Sequence, residues 1–536
     1  MPEDAKAKEV IARYNSLKSE SEPFRRLWQD IRELIMPNAQ DFQTKTSPGQ
    51  ERNLGIYDST APDANKDFAA ALHSYMTSPT DRWFNLEIEN EPELNRDPDA
   101  MEWLEYVSDL IFSEFSNDAT GFNSAMQEVY LGVGSFGTPI VYQDYDFDIA
   151  HLNFRACALA DSYLDENSKG RVDVNFRRLD YTARQLVQEF GSIVPTEVRE
   201  AKDRKVEVIH AVYPRTDRVA GRYDPGNKPF ASCWVLREKQ LTLKESGFNE
   251  FPYHIARWSK IPGQVYGIGP GQNCLPDVRM LNRIQYTLIQ AAQKRVSPPM
   301  IVPDDGFLMK TPSASPQAML YYEAGSSGLK PEYLEYTGDI PVGMEMAEQL
   351  RESIRRAFFG EWVRFTTKKE RQTQFEIQQL IEQQLRMMAP MTGRLGTELL
   401  GPLIARSYGL LQDAGRVQSA PELLQQRKLK VIYVSPAARA QLSTKAIAMG
   451  QYIQELVPVA QIQPNVMDKV DLDAYADELA IVRGVSRRVV RNQADVDSIR
   501  QQRAEQEQAS AIAGAAEPVS KAVLNLSQAQ EAGNIL

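Results

Sequence analysis

The longest helical pattern in the chain runs from Ile340 to Gly415, and one charged stretch interrupts it. Ala347, Leu350, Ile354 and Phe358 recur at the spacing of one helix face. A second stripe follows at Ile377, Leu380, Ile381, Leu385, Met388, Leu395, Leu399 and Leu403. Between the two lies Arg364 to Gln374, RFTTKKERQTQ, with four basic residues, one acid and no aliphatic side chain. It continues neither buried stripe, so it reads as a solvated, positively charged tip between two helices.

A continuous helix over Phe375 to Gln412 would be on the order of 55 Å long, more than a small domain holds. Pro390 and Pro402 lie inside it, with Gly393, Gly396 and Gly401 nearby. Each proline removes a backbone donor and crowds the preceding turn. The residues therefore fit a long kinked helix, and equally two or three shorter helices joined by tight turns.

At 536 residues the chain has room for roughly three to four domains or layers. Its 42% hydrophobic content and mean hydropathy of -0.43 describe a soluble chain with a proper core. No apolar run is long enough to span a bilayer, and the start, MPEDAKAKEV, has no signal-peptide segment. No membrane association and a cytosol-like compartment are the expectation. Cys157, Cys233 and Cys274 are scattered and odd in number, which argues against a disulfide framework. His73, His151, His210 and His254 lack metal-ligand spacing, so neither a metal nor another cofactor is expected. A net charge of -11 excludes a protein that grips nucleic acid over its whole surface; any contact with DNA must be local.

In chain order, Ala5 to Leu17 and Pro23 to Met36 read as two amphipathic helices, the second opened by Pro23. Asp58 or Thr60 is placed to cap a helix carrying Phe68, Leu72 and Tyr75. Arg82 to Glu89 alternates as a strand, and helices follow at Trp103 to Phe115 and Phe122 to Leu131. GVGSFG (Gly132 to Gly137) matches a dinucleotide-binding spacing in the wrong context, after a helix and before a strand, so it reads as a tight turn.

From Thr138 to about Trp258 short strands dominate, with helical pieces at Ala183 to Phe190 and Thr196 to Ala201. An antiparallel sheet with helices on one side, an α+β arrangement, is the expectation. GIGPGQ, before a helix at Pro276 to Val296, lacks the GK[ST] of a phosphate-binding loop and reads as a connector. Short strands between Met300 and Pro341 form a β insertion bracketed by that helix and one at Val342 to Phe359, which together make a projection. Lys428 to Pro436 is a strand, and Ala437 to Val457, Val470 to Arg483 and Ser486 to Asn492 are helical. From about Asp495 the chain is poor in large apolar residues and reads as frayed or disordered.

An ordered series of motifs spans about Phe24 to Arg503: LWQDIRELIMP, DSTAPDANKDFAAALHSYMTSPTDRWFNL, GSFGTPIVY, YGIGPGQ, RQTQFEIQQL, LGTELLGPLIARSYGLL, and VIYVSPAARAQ followed by RGVSRRVVRNQADVDSIRQQR. In order and spacing it resembles the portal, or head-to-tail connector, family of short-tailed double-stranded DNA phages, in its T7-like branch. The resemblance implies a portal fold with a wing over 1–275 and a stem of two helices, 276–299 and 342–363. A clip over 300–341 and a channel loop over 364–374 accompany them. The kinked helix and a return strand would occupy 375–436, a helical crown 437–494, and a flexible tail 495–536.

It also implies a homo-oligomeric ring, usually of twelve copies, at one capsid vertex of the virion and assembled in the host cytoplasm. Double-stranded DNA passes through such a ring in packaging and ejection without regard to sequence. Implied partners are terminase, the major capsid and scaffolding proteins, and tail adaptor and nozzle proteins. No catalytic activity is implied. Arg364, Lys368, Lys369 and Arg371 fall where the family has a loop facing the channel, although KKERQTQF stands where this branch commonly has a short apolar run. With Glu370 they carry +3 per copy, a belt of weak phosphate contacts if repeated round a ring. Without the family the same charges fit an ordinary solvated loop. The alternatives are a tail adaptor or other ring protein without a packaging role, or a nucleotide-dependent motor, for which no Walker-type lysine loop is present.

Overall fold

A computed structural model describes residues 4–44, 46–47, 49–91, 93–200, 204–219, 222, 224–303, 319–322, 332–333, 340–360, 389–424, 429–433, 450–458, 470–483, 490–491 and 495–506. The chain divides into two compact units. The larger holds residues 1–87, 106–419 and 428–438; the smaller holds 88–105, 420–427 and 439–536.

The larger unit opens with one helix, α1 (Ala5–Leu34), where the sequence suggested two. Its buried stripe of Ala7, Val10, Tyr14, Leu17, Ser21, Trp28 and Ile31 runs unbroken past Pro23. Pro23 lies on the exposed side, where water can take the carbonyl that the proline leaves free, so packing outweighs the break. Helix α2 (Thr60–Met76) begins where Asp58 accepts the Thr60 amide at 2.9 Å. Strand β1 (Phe84–Ile88) alternates buried and half-buried residues. Helix α3 (Pro98–Ser116) follows, then α4 (Phe122–Phe136).

Helix α4 runs five residues further than its apolar pattern suggested, through the glycine motif, and ends at Gly137 with φ +73°. The glycines serve close approach inside a helix. A Cβ on Gly134 would lie 2.0 Å from the Asn65 amide oxygen. The buried Asn65 side chain in turn donates to Ser135 Oγ at 2.9 Å and to the Leu131 carbonyl at 3.3 Å, joining α2 to α4.

Two sheets follow. Strands β2 (Ile140–Asp146) and β3 (His151–Ala156) begin the first; β4 (Ser162–Glu166) and β5 (Val172–Thr182) begin the second. After α5 (Ala183–Phe190) and α6 (Thr196–Glu200), β6 (Lys205–Pro214), β7 (Phe230–Leu236) and β8 (Leu241–Phe248) complete a five-stranded antiparallel sheet in the order β4-β5-β6-β7-β8. Strand β9 (Tyr253–Ile255) returns to pair with β2, in the order β3-β2-β9.

The five-stranded sheet is covered on both faces, where helices on one side were expected. Ile209, Ala211, Cys233 and Val235 pack against Ala7, Val10, Tyr14 and Leu17 of α1. Val206, Val208 and Leu236 face Leu186 and Phe190 of α5 and Val198 of α6. Strand β6, KVEVIHAVYP, is apolar on alternate residues of both parities in its middle, as a doubly covered strand must be.

Helix α7 (Pro270–Val296) starts six residues before Pro276, which lies inside it on the exposed side, as Pro23 does in α1. Its first turn meets the end of α4, so the two glycine motifs pack against each other. A Cβ on Gly269 would sit 2.6 Å from the Val133 carbonyl, and one on Gly137 would sit 2.2 Å from the Gly269 nitrogen. The negative end of one helix dipole thus faces the positive end of the other. The place an anion would take at the start of α7 is filled by backbone.

Strands β10 (Met300–Pro303), β11 (Met319–Tyr322) and β12 (Glu332–Tyr333) form a small sheet in the order β11-β10-β12. Helix α8 (Ile340–Ala357) follows. The chain is helical again from residue 389, through a π turn at Gly396–Leu400, into α9 (Gly401–Asp413). Strand β13 (Leu429–Tyr433) pairs with β1.

In the smaller unit, α10 (Leu472–Arg483) starts at Asp471, whose carboxylate accepts the Ala474 amide at 2.9 Å. Residues 495–506, read from composition as frayed or disordered, are helical, and Arg500 makes a two-armed pair with Asp473 at 2.7 and 2.8 Å. The expected helix at Ser486 to Asn492 lies almost wholly outside the described residues, as do 437–449 and everything after 506.

Candidate functional site

The residues that the sequence singles out for DNA contact, Arg364, Lys368, Lys369 and Arg371, lie outside the described residues, as do 375–388. What the structure describes is the two elements that lead into and out of that segment.

The first is the pair α7 and α8. Ser353, late in α8, donates to Asp277, early in α7, at 2.8 Å. At the other end Ile340, Gly343 and Met346 stand beside Ile284, Leu288 and Ala291. The helices are therefore antiparallel. A Cβ on Gly343 would lie 2.8 Å from Leu288 Cδ2, which marks their closest approach. Among the described residues, the contacts that tie the pair to the rest of the unit lie toward one end. Arg351 pairs with Asp58 at 2.9 Å, the Tyr57 amide donates to Asn282 at 2.7 Å, and Phe358 is buried beside Phe68. Burial would raise the Asp58 carboxyl, but hydrogen bonds from Thr60 and Arg351 outweigh it and hold it below its usual range.

Toward the other end several large apolar side chains of the described residues are exposed. Ile289 and Val296 on α7, and Val342, Met344 and Met346 on α8, are exposed, Val296 at 84%. A cavity of about 450 Å³ opens between the helices, floored by Ile284, Leu288 and Met346 and rimmed by Arg283, Lys294 and Arg295. From Val278 to Val296 helix α7 carries four basic residues and no acid, whereas α8 balances three acids against three arginines. The basic character of α7 is spread along a helix at Arg279, Arg283, Lys294 and Arg295, and a search for charge runs misses it.

The second element is the returning helix, bolted to the three-stranded sheet by buried polar groups. His254 Nε2 meets Gln143 Oε1 at 2.7 Å, and Gln143 Nε2 donates to Ser407 Oγ at 2.8 Å. Arg406, 4% exposed, donates to the carbonyls of Gln143 and Glu250 at 3.3 and 3.0 Å. Below it Arg257, 1% exposed, pairs with Glu398 in the π turn at 2.9 Å and with Glu166 at 2.7 Å, while Lys260 joins Glu166 at 2.5 Å. Two cations meet two carboxylates, so the buried charge is balanced. Burial would lower the Arg257 guanidinium, but Glu398 and then Glu166 more than reverse that.

Among the described residues no group of three or more His, Cys, Asp or Glu side chains could hold a metal, and no helix is long and apolar enough to cross a membrane. All three cysteines are buried thiols.

With this geometry in hand, residues 7–490 match the family model described as bacteriophage head to tail connecting protein. The chain belongs to that family. Two relatives cover nearly all of it. It is 29% identical over 524 residues to a probable portal protein of Bordetella phage BPP-1, which spans 95% of this chain and 93% of that protein. It is 29% identical over 544 residues to the portal protein of Salmonella phage epsilon15, spanning 97% and 95%. Among the described residues α7 and α8 leave several large apolar side chains exposed.

Proposed function

We propose that this connector is the portal: copies close into a ring, usually of twelve, at one capsid vertex, and double-stranded DNA enters and leaves through the hole. Terminase docks on it during packaging, and tail adaptor and nozzle proteins take that place afterwards. Major capsid and scaffolding proteins hold the rim. In this reading α7 and α8 are the stem, the β10–β12 insertion is the clip, 364–374 is the channel loop and the helices of 437–494 are the crown. The protein acts as a conduit and catalyses nothing; packaging energy comes from terminase.

What supports the reading is the antiparallel helix pair with exposed apolar side chains on both helices, in a chain that matches connectors along nearly its whole length. A ring built from different patches on each copy closes on itself and covers such side chains. The basic face of α7 adds weak, sequence-blind phosphate attraction to that of Arg364, Lys368, Lys369 and Arg371. Lys368→Ala combined with Lys369→Ala is the test. Rings should assemble normally while packaging or retention of DNA falls; normal packaging and retention would refute the role of the loop.

A further inference from the structure

The described part of the returning helix contains a structural irregularity, and two residues from elsewhere in the fold, Tyr433 and Arg257, converge on it. In the π turn Gly396–Leu400 the Gly401 amide bonds to the Gly396 carbonyl, five residues back instead of four. Leu395, Leu400 and Gly401 keep right-handed helical dihedrals, so the helix continues through the turn. The Tyr433 hydroxyl, on β13, donates to the same Gly396 carbonyl at 2.6 Å. Its ring fills the space left by two glycines: a Cβ on Gly396 would lie 3.2 Å from Tyr433 Cε2, and one on Gly401 3.3 Å from the hydroxyl. From the other side Glu398 is held by Arg257 through its backbone amide at 3.0 Å and its guanidinium at 3.2 and 2.9 Å. Pro402 gives the turn a local reason, because in a regular α-helix its ring would collide with the Glu398 carbonyl.

A π turn holds one residue more than the α turn it replaces. If this one closed to α-helix, everything N-terminal to it would rotate by about 100° and shift by about 1.5 Å. We propose that Tyr433, together with Arg257 acting through Glu398, is a positioning residue: it keeps the π turn open and so fixes the rotational setting of residues 389–395 relative to α9. For function this rests on the ring reading, in which the chain just before residue 389 leads back to the channel loop. The setting of residues 389–395 is then fixed from outside the helix, by a side chain on the return strand.

The test exploits the extra residue. Tyr433→Phe removes the hydroxyl and keeps the ring, and deletion of Thr397, which is exposed, made together with Pro402→Ala so that no ring meets the Glu398 carbonyl, turns the π turn into an α turn that has no need of Tyr433 while leaving both flanks in place. Hydrogen–deuterium exchange on the full chain should show the amides of 400–401 exchanging about tenfold faster in Tyr433→Phe, which is about 1.4 kcal/mol of opening free energy. The same substitution in the Thr397-deleted, Pro402→Ala protein should change them less than twofold. Deletion of Gly393, outside the turn, should not remove the dependence on Tyr433. Unchanged exchange in Tyr433→Phe, or a full-sized effect after deletion of Thr397, overturns the positioning role.

In a complementation assay Tyr433→Phe should reduce packaged DNA severalfold with rings still formed, and adding the Thr397 deletion with Pro402→Ala should restore it. Normal packaging by Tyr433→Phe would overturn the link to the channel segment. Absence of rings in the unsubstituted protein would instead overturn the ring reading, and the exchange result would stand apart from it.

Discussion

Glu398→Ala tests how the returning helix is held. The substitution removes a carboxylate that accepts three hydrogen bonds from Arg257, at 3.0, 3.2 and 2.9 Å. Arg257 keeps Glu166 at 2.7 Å and the Gly170 carbonyl at 2.7 Å, so its charge is not left bare. Its backbone amide and Nε are, however, left buried without an acceptor, at about 1–3 kcal/mol each. A loss of about 3 kcal/mol follows, at the low end of the 3–5 kcal/mol typical for breaking a buried pair. Glu398→Gln keeps the shape and one acceptor and should cost about half as much. The assay is urea unfolding of the purified protein, compared at the transition of the larger unit, and repeated in an Arg257→Met background. There Glu398→Ala should cost about half as much, roughly 1–2 kcal/mol, because the guanidinium bonds are gone and only the hydrogen bond from the backbone amide remains. A loss below about 1 kcal/mol in the parent protein, or an equal loss in both backgrounds, would refute the clamp.

Other outcomes follow from the same structure. His210, between Tyr253 and Ser232 at 2.7 and 3.0 Å and stacked on Trp234, is pushed down to about 3 by burial and then by nearby cations; His254 is pushed to about 3 by burial and then Arg406. Both stay neutral in the fold and gain a proton on unfolding below the ordinary value of 6.5, so stability is full above that pH. It falls toward pH 3 by up to about 1.4 kcal/mol per histidine per pH unit, read as a falling melting temperature. Gly137→Ala places a Cβ 2.2 Å from the Gly269 backbone at a positive φ, so it should cost several kcal/mol, about 3 or more, and give largely insoluble protein on expression. Ile289→Lys or Met344→Lys, on exposed positions, should leave the melting temperature of the monomer within about 1 °C while abolishing ring assembly by light scattering.

Much of the fold was legible because its signals are local. The strands around PIVYQ, HLNFRAC and KVEVIHAVYP, and helix α5 with its Thr182–Gln185 capping box, lie where periodicity and caps place them. The misreadings share a cause, since each was settled by packing at a distance. Pro23 and Pro276 read as helix starts but sit mid-helix, because a buried stripe on one side continues while the proline faces water. GVGSFG and GIGPGQ read as separate turns, and nothing local to either shows that each fills the space beside the other. Strand β8, LTLKESGF, carries little local pattern because it is an edge strand with one deeply buried position, Leu243.

At the candidate site, where a kink was expected near Pro402, Gly396 and Gly401, the helix contains a π turn at Gly396–Leu400. Its partners Tyr433 and Arg257 are 37 and 141 residues from the groups they hold and left no sequence signal.

The central claim is that copies of this chain close round a hole wide enough for duplex DNA. Electron microscopy of the purified protein, with mass determined by light scattering on the same sample, tests it most directly. Annular particles with an open centre and a mass near twelve times 60.6 kDa are the expected result. Compact monomers or dimers at every concentration and salt tried would contradict the claim.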